Sequence, residues 1–532
     1  MIRTIVKREF LDNLLSFKFI ACVVVAIVVS LTSTAILSRD YQDRLRNYDK
    51  GVASAKETLT KVPVYSALKV KLFRKPTPLS IFVGGIERKA GNYAEIPIIG
   101  MDIPTSLQGG VTKNEFTAAI SIFDFSSVII IVFTILAILL SYGAISGEKE
   151  SGMLSLTLSN SAARSKILLG KYLGALTSIA VALAFCFILG VLFVLMSKNM
   201  QVDATFFVSI GLLYCASLLY LSCVLLLGIL ASSRTGTSFG SLLFLLIFYI
   251  VFTFLIPQAV KSYSNDAILA QAKNVESNIQ NLQTEREKKT GEAYRNAGYK
   301  KTWAISRDGY DMQLYGGIIL SRISSPEWIE DQNRTNAFMK KIERDYAQKV
   351  FDLKAQDMSV EGNIRRRQNE LLAFIPSASF GGIAELLADT GDESLKRYLE
   401  QIVLYWHQYV SYLDQKNAYG TRFAYPGPDE LTAYEKDLIK KISEDVSGQI
   451  ERAGERWLSM YSGKYLDEAL KYRPKLAFID LNDLPAFKTP ELGIIDRLKS
   501  SWFNLGILLF YNILFIALAY FSFANYDPRR RD

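Results

Sequence analysis

Histidine and cysteine are scarce in this chain. It has one histidine and four cysteines among 532 residues. A zinc protease of the HExxH type needs two histidines, so that chemistry is excluded, and a catalytic triad built on His407 is disfavoured. All four cysteines lie inside apolar stretches, where they are expected to pack as small core residues and not to form disulfides: Cys22, Cys186, Cys215 and Cys223. The sequence therefore predicts neither a metal site nor a bound cofactor.

A nucleotide-binding phosphate loop is also missing. That motif needs a glycine five residues before a Gly-Lys pair and a serine or threonine after it. Around Gly170-Lys171 those positions hold Ser165 and Tyr172, and Gly463-Lys464 fails in the same way. No GxSxG motif occurs either. The chain is therefore not expected to be an enzyme, and any ATP hydrolysis must come from a partner chain.

The net charge of +9 does not indicate a nucleic-acid partner. Nucleic-acid modules combine a basic patch with a recognisable fold, and no basic patch here carries interleaved aromatic residues on such a module. Much of the positive charge sits beside apolar stretches instead, where it sets the orientation of membrane helices.

Long apolar stretches are what the sequence does contain. Six are long enough to cross a bilayer, which takes about 20 apolar residues: 17–38, 121–146, 172–197, 206–231, 238–259 and 501–524. They predict an all-α polytopic membrane protein surrounded by lipid. The competing interpretation of the first stretch is a cleaved signal peptide, with Ser33-x-Ala35 as its small-residue cleavage site. The length of the stretch favours a retained span.

The remaining segments predict two polar regions and two terminal elements. Residues 1–16 read as an amphipathic helix on the membrane surface, and residues 525–532 as a basic tail. Residues 39–120 predict a small mixed lobe, and residues 260–500 a large, mainly helical domain that includes a helical hairpin. Because basic residues cluster at both termini and after the second span, the positive-inside rule puts those parts in the cytoplasm and both polar regions outside.

The segment 147–171, between the second and third spans, is the most distinctive part of the chain. With its flanks it reads SYGAISGEKESGMLSLTLSNSAARSKILLGKYLGA over residues 141–175. Acidic residues come first and basic residues last, which is the order that a helix dipole favours. The apolar residues between them would give the helix one apolar face. On these grounds alone an ordinary membrane loop with an interfacial helix remains equally open.

The sequence of this segment resembles the loop between the second and third spans of type 2 ATP-binding-cassette (ABC) permeases. Their pattern is close to GEKE-x-GTL-x-LLLS followed by R-x-x-x-L-x-GK. The resemblance implies a coupling helix that docks into a separate ATPase, formed by Gly147, Glu148, Lys149, Glu150, Gly152, Leu154, Leu158, Arg164 and Lys171. Leu154 and Leu158 would anchor it there, and Glu148 and Glu150 would make polar contacts to the ATPase.

Further segments resemble the same family more weakly. Arg8-Glu9-Phe10 matches its elbow helix, and KPTPLSIFVGG (residues 75–85) and LLAFIPSASFGGIAELLADTG (residues 371–391) match a subset with enlarged outer regions. The resemblance implies a permease in a bacterial inner membrane that pairs with a second permease. A cytoplasmic ATPase dimer would bind ATP and magnesium and drive export of a lipid-like or amphipathic substrate.

A different class of function stays open beside export. The size of the 260–500 region also fits a mechanotransmission or assembly subunit, which would relay ATPase motion to its outer domain without carrying a substrate. Polar groups within spans can mark a transport pathway, which makes Asp124 and Asn504 candidates. An interhelical hydrogen bond is the simpler explanation for both residues.

Overall fold

The protein is described by a computed structural model over most of its length. The described residues are 2–62, 64–98, 104, 107–109, 124–154, 163–196, 202–296, 303–306, 321–419, 433–453, 458–459, 478–489 and 492–525. Leu158 of the predicted coupling helix and residues 526–532 of the predicted tail lie outside them.

Fifteen helices are labelled here in chain order. They are α1 (Ile2–Leu15), α2 (Phe17–Leu59), α3 (Phe125–Val128), α4 (Thr134–Ser141), α5 (Ser146–Glu150), α6 (Arg164–Met196), α7 (Ala204–Arg234), α8 (Ser238–Ile250), α9 (Ile256–Asn296), α10 (Pro326–Ala373), α11 (Pro376–Ala388), α12 (Asp392–Gln415), α13 (Ala433–Ala453), α14 (Ile494–Ser500) and α15 (Trp502–Ala524). π-helical turns join α3 to α4 at Ile129–Phe133 and α8 to α9 at Val251–Leu255.

Among the described residues, six helical segments are long and apolar enough to cross a membrane. They are Phe17–Leu59, Phe125–Glu150, Arg164–Met196, Ala204–Arg234, Ser238–Ala293 and Trp502–Ala524. The predicted all-α polytopic membrane fold is therefore confirmed. Several helices extend past the predicted spans. For example, α6 begins at Arg164, inside the segment 147–171, and the fifth span runs on without a break into α9.

Strands are few and short. β1 (Lys69–Phe73) pairs antiparallel with β2 (Tyr93–Pro97), with Lys69 opposite Pro97. β3 (Trp303–Ser306) lies between β4 (Ser321–Ser324), which is antiparallel to it, and β5 (Leu458–Ser459), which is parallel.

The helix that contains the first span is much longer than a bilayer crossing requires. α2 has 43 residues, about 65 Å at 1.5 Å per residue, whereas the hydrocarbon core is about 30 Å thick. Arg44 on this extension bonds to Glu87 at 2.5 Å and donates to Ser80 Oγ at 2.8 Å. Because Ser80 belongs to the segment 75–85, that segment fastens the extension of α2 to the lobe.

The two polar regions share a hydrophobic core. Leu68 and Ile96 of the small lobe pack in one cluster with Ile402 and Tyr409 of α12. The Tyr398 hydroxyl donates to the Leu72 carbonyl at 3.0 Å, which crosses the same boundary. The sequence separated residues 39–120 from residues 260–500, but much of the later region and the small lobe are one packed unit.

α9 and α10 form a long helical hairpin on the far side of the fifth span. Arg286 on α9 lies 3.6 Å from Glu343 on α10, and Lys349 lies 3.9 Å from Glu285. The apolar spacing of residues 268–282 predicts a helical hairpin, and the structure contains one.

α11 packs into the membrane bundle, although the sequence assigned it to the outer domain. Phe380 is 0% exposed and its ring stacks on Tyr220 of α7, with centroids 5.2 Å apart. The Tyr511 hydroxyl of α15 donates to the Phe374 carbonyl just before α11, at 2.8 Å. The chain therefore turns back into the bundle at this point before it reaches α12.

α1 packs closely against α6 because two glycines lie at the contact. A Cβ on Gly170 would lie 2.6 Å from Ile5, and one on Gly174 would lie 2.5 Å from the Cβ of Glu9. Small residues four apart allow helices in membranes to approach this closely. The contact fixes the first helix on the start of the third span.

Replacing Gly174 with valine should separate α1 from α6. Overpacking of this kind costs roughly 1–3 kcal/mol, so the detergent-solubilised protein should unfold at a lower temperature. Gly211→Val is the matched control, because Gly211 lies in α7 with nothing within 4 Å of an added Cβ. Equal melting temperatures for the two variants would contradict the close α1–α6 contact.

Candidate functional site

Most of the predicted coupling residues gather at one end of the helix bundle. This end, called the motif end below, comprises described residues 5–9, 145–154, 164–174, 232–238 and 523–524. It joins α1, the end of the second span, the start of the third, the link between the fourth and fifth, and the end of the sixth.

Lys171 is the centre of the motif end. Its ammonium lies 2.9 Å from Glu9 Oε1 and 2.7 Å from Glu148 Oε1. The Lys171 side chain is 11% exposed, and those of Glu9 and Glu148 are 29% and 28% exposed. An ion pair this sheltered is weakly screened by salt. One cation thus joins the elbow segment, the GEKE motif and the third span.

Glu150 binds the start of the fifth span. Its carboxylate accepts hydrogen bonds from Ser238 N at 3.1 Å and from Ser238 Oγ at 2.7 Å. Ser238 is the first residue of α8, and a helix N-terminus favours negative charge because its first N–H groups are unpaired. The acid therefore stabilises the end of another helix.

Lys149 and Arg164 stabilise helix C-termini with positive charge. The Lys149 ammonium donates to the carbonyls of Ser233 at 2.6 Å and Thr235 at 3.1 Å, at the end of α7. The Arg164 guanidinium donates to the last carbonyls of α15, those of Phe523 and Ala524. Cations are favoured at such ends.

Leu154 and Met153 differ sharply in exposure. α5 ends at Glu150, and Gly152 adopts φ +69°, which glycine tolerates better than other residues. After this turn Leu154 is 2% exposed and packs with Ile167 and Phe523 inside the chain. Met153 is 52% exposed. Of these two residues, Met153 is presented outward, and the predicted anchor Leu154 is turned inward.

The remaining predicted residues of this end have smaller roles. A Cβ atom added at Gly147 would lie 3.5 Å from Ser238 Oγ. Phe10 is half-buried, while Arg8 is exposed and lies 3.6 Å from Asp12. The sequence interpretation missed Ser232, whose hydroxyl accepts from the backbone nitrogens of Ile145 and Ser146 at 2.9 Å each. The cluster of hydroxyl residues from 232 to 238 was its only sequence signal.

Asp124 and Asn504 lie away from the motif end. Asp124 begins the second span as a helix cap, accepting from Ser127 N at 2.8 Å, and its other oxygen accepts from Gly84 N at 2.8 Å. Asn504 accepts through its backbone oxygen from Ser379 Oγ at 3.1 Å. Both contacts hold segments together, and a pathway role for these residues stays a prediction. Among the described residues, no group of His, Cys, Asp and Glu side chains could hold a metal ion.

Comparison with known protein families gives a match. The family described as "ABC-2 family transporter protein" matches residues 3–291 of the 532, which contain the motif end except for its last helix. No curated protein matches the chain. ABC-2 permeases are the membrane subunits of transporters. With six apolar helical segments and a match over more than half of its length, this chain belongs to the ABC-2 transporter family.

Proposed function

We propose that this chain is the permease of an exporter whose ATP is hydrolysed by a separate pair of cytoplasmic subunits. The observation that carries the proposal is the Lys171 contact, because it ties the motif between the second and third spans to two other segments. The absence of a phosphate loop from the sequence supports a separate ATPase, which would bind ATP and magnesium.

The orientation follows from charge. Arg3, Lys7, Lys149, Arg164 and Lys171 all belong to α1 or to the motif end. Positive residues favour the cytoplasmic side. The motif end and both termini would then face the cytoplasm of a bacterial cell, and the hairpin and lobe would lie outside its inner membrane.

The described part of the surface that would meet the ATPase is mostly uncharged. Ser151, Gly152 and Met153 are exposed at the tip of the motif end, next to the exposed Glu150. Since Glu148, Lys149 and Arg164 are engaged within the chain, they position the tip. Among the described residues of the tip, Met153 presents the exposed apolar side chain that would enter a cleft in the ATPase.

The proposed cycle begins when the ATPases close and displace this tip. Glu148 moves with it, and Lys171 carries the displacement to the third span and to α1 through Glu9. The second and third spans then tilt together with α1. In a pair of permeases this motion would alternate access to a cavity between them, through which an amphipathic substrate leaves.

A second function, transmission of motion to the outer domain without transport, is favoured by a different observation. The fifth span continues as one helical segment from Ser238 to Ala293, so motion of its inner end reaches the α9–α10 hairpin. α11 then returns from the hairpin to Tyr220 inside the bundle. Both connections would move the hairpin with each ATPase cycle.

Lys171→Met should uncouple the ATPase from the permease. Without the ammonium, Glu9 and Glu148 repel each other, and stimulation of ATPase activity by the permease should fall about tenfold, which corresponds to ~1.4 kcal/mol. Lys166→Met is the matched control, since Lys166 is exposed on the same helix. Adding Glu148→Gln to the Lys171→Met protein should restore part of the stimulation. Normal coupling in the single variant would remove Lys171 from the mechanism.

Met153→Asp should weaken binding of the ATPase. A carboxylate cannot enter an apolar cleft without a large desolvation cost, so the amount of ATPase that co-purifies should fall about tenfold, or ~1.4 kcal/mol. Val52→Asp, at an exposed position on the outer part of α2, controls for the added charge. Undiminished co-purification of the Met153→Asp protein would place the docking surface elsewhere.

Spin labels can separate transmission from transport. One label replaces the exposed Lys288 on α9 and the other the exposed Lys499 on α14, after the native cysteines are exchanged for serine. Transmission requires the distance between the labels in the complex to change when ATP is trapped. An unchanged distance distribution would rule out transmission.

A further inference from the structure

Polar side chains from the third, fourth and sixth spans meet inside the membrane bundle. Tyr172 lies on α6, Ser222 on α7 and Asn512 on α15. The Tyr172 hydroxyl lies 2.6 Å from Ser222 Oγ, which lies 2.5 Å from Asn512 Oδ1. Asn512 is ten residues after Trp502, the first residue of α15, or roughly 15 Å along that helix. Polar groups at this depth are costly and often functional.

The hydrogen bonds of this chain run in one direction. Ser222 has one hydroxyl proton and donates it to Asn512, so the Tyr172 hydroxyl is the donor to Ser222. Asn512 Nδ2 then donates to the carbonyls of Leu219 at 3.1 Å and Leu508 at 2.8 Å. Each donor proton of the three side chains therefore has an acceptor within the protein. A polar network that is fully satisfied in this way is rigid and specifies one arrangement.

The same three helices are joined a second time at the motif end. The Arg164 guanidinium of α6 donates to the Phe523 carbonyl of α15 at 3.3 Å, and Ser233 Oγ of α7 donates to Ser522 Oγ of α15 at 2.8 Å. Ser522 lies ten residues, roughly 15 Å, beyond Asn512. Contacts at two levels oppose both sliding and rotation, because either motion would break hydrogen bonds.

Tyr172 directly follows Lys171, the cation that binds Glu9 and Glu148. In the proposed cycle the displacement enters the third span at Lys171, so it reaches the backbone of Tyr172 at once. If the fourth and sixth spans stayed behind, Tyr172 and Ser222 would lose their bond. Unpaired polar groups are costly in hydrocarbon. Joint motion of the three spans avoids that cost.

We propose that Asn512 is a positioning residue that makes the third, fourth and sixth spans move as one unit. It accepts from Ser222 and donates back to the same helix at Leu219, while Tyr172 connects the pair to the third span. The inference rests on the proposed function for the source of the motion, whereas the joint is a property of this chain alone. It gives a role to the sixth span, which lies outside the family match of residues 3–291.

A double-mutant cycle on the purified full-length chain tests the joint without any ATPase. Tyr172→Phe removes one donor and keeps the ring, and Asn512→Leu removes the amide at similar size. Each should lower the unfolding temperature in detergent by a few degrees. Because Ser222 links the two residues, the double variant should lose less than the sum of the single losses.

Tyr214→Phe is the matched control for this cycle. Its hydroxyl donates to the Ala180 carbonyl at 3.1 Å, which also joins α7 to α6 but belongs to no shared network with Asn512. Its loss should add to that of Asn512→Leu. Additive losses for Tyr172→Phe with Asn512→Leu would overturn the joint.

The positioning role is tested in the complex with the ATPase, at a temperature where every variant is folded. Asn512→Leu should lower stimulation of ATPase activity about threefold, the average effect of one hydrogen bond between membrane helices. Asn512→Gln, which keeps the amide, should restore part of it, and Tyr214→Phe should leave it unchanged. Reduced stimulation in Lys171→Met beside normal stimulation in Asn512→Leu would overturn the positioning role and leave the proposed function intact. A non-additive unfolding cycle in a chain that stimulates no ATPase would refute the proposed function and support the joint.

Discussion

A single ammonium group, that of Lys171, holds the motif end together. An ammonium sheltered from water is costly unless acids surround it, and Lys171 has two, each from a different segment. The first helix, the GEKE motif and the third span are therefore fixed relative to one another by one charge. Gly170 and Gly174 make this possible, because only their missing side chains let α1 come near enough for Glu9 to reach Lys171.

The other charges of the motif solve a problem that every helix bundle has at its ends. Helix termini leave N–H and C=O groups without partners, and here residues of the motif supply them. Glu150 binds the N-terminus of α8, Lys149 the C-terminus of α7 and Arg164 the C-terminus of α15. The signs match the dipole of each helix. Residues of the motif therefore contact the second, third, fourth, fifth and sixth spans directly.

Much of the fold could be predicted from the sequence, because length and hydrophobicity alone identify a membrane span. The hairpin could also be predicted, from the spacing of the apolar residues in α9. The shared core of the two polar regions could not be predicted. The apolar stripe of α12 predicts an amphipathic helix but does not show which strands pack against it. α11 was missed because 13 residues are too few to register as a span. The positions of Leu154 and Met153 depend on the φ of Gly152, which periodicity cannot supply.

The second span leads from the motif into the interior of the helix bundle. α4 ends at Ser141, next to the motif, and begins at Thr134, so about 11 Å of helix lies between these two residues. Gly228 of α7 leaves room for the Ser141 side chain, which presses α4 against the fourth span. Above Thr134 the π-helical turn interrupts the regular hydrogen bonding. A tilt that starts at Glu148 would travel through α4 as a rigid rod and be taken up at this turn.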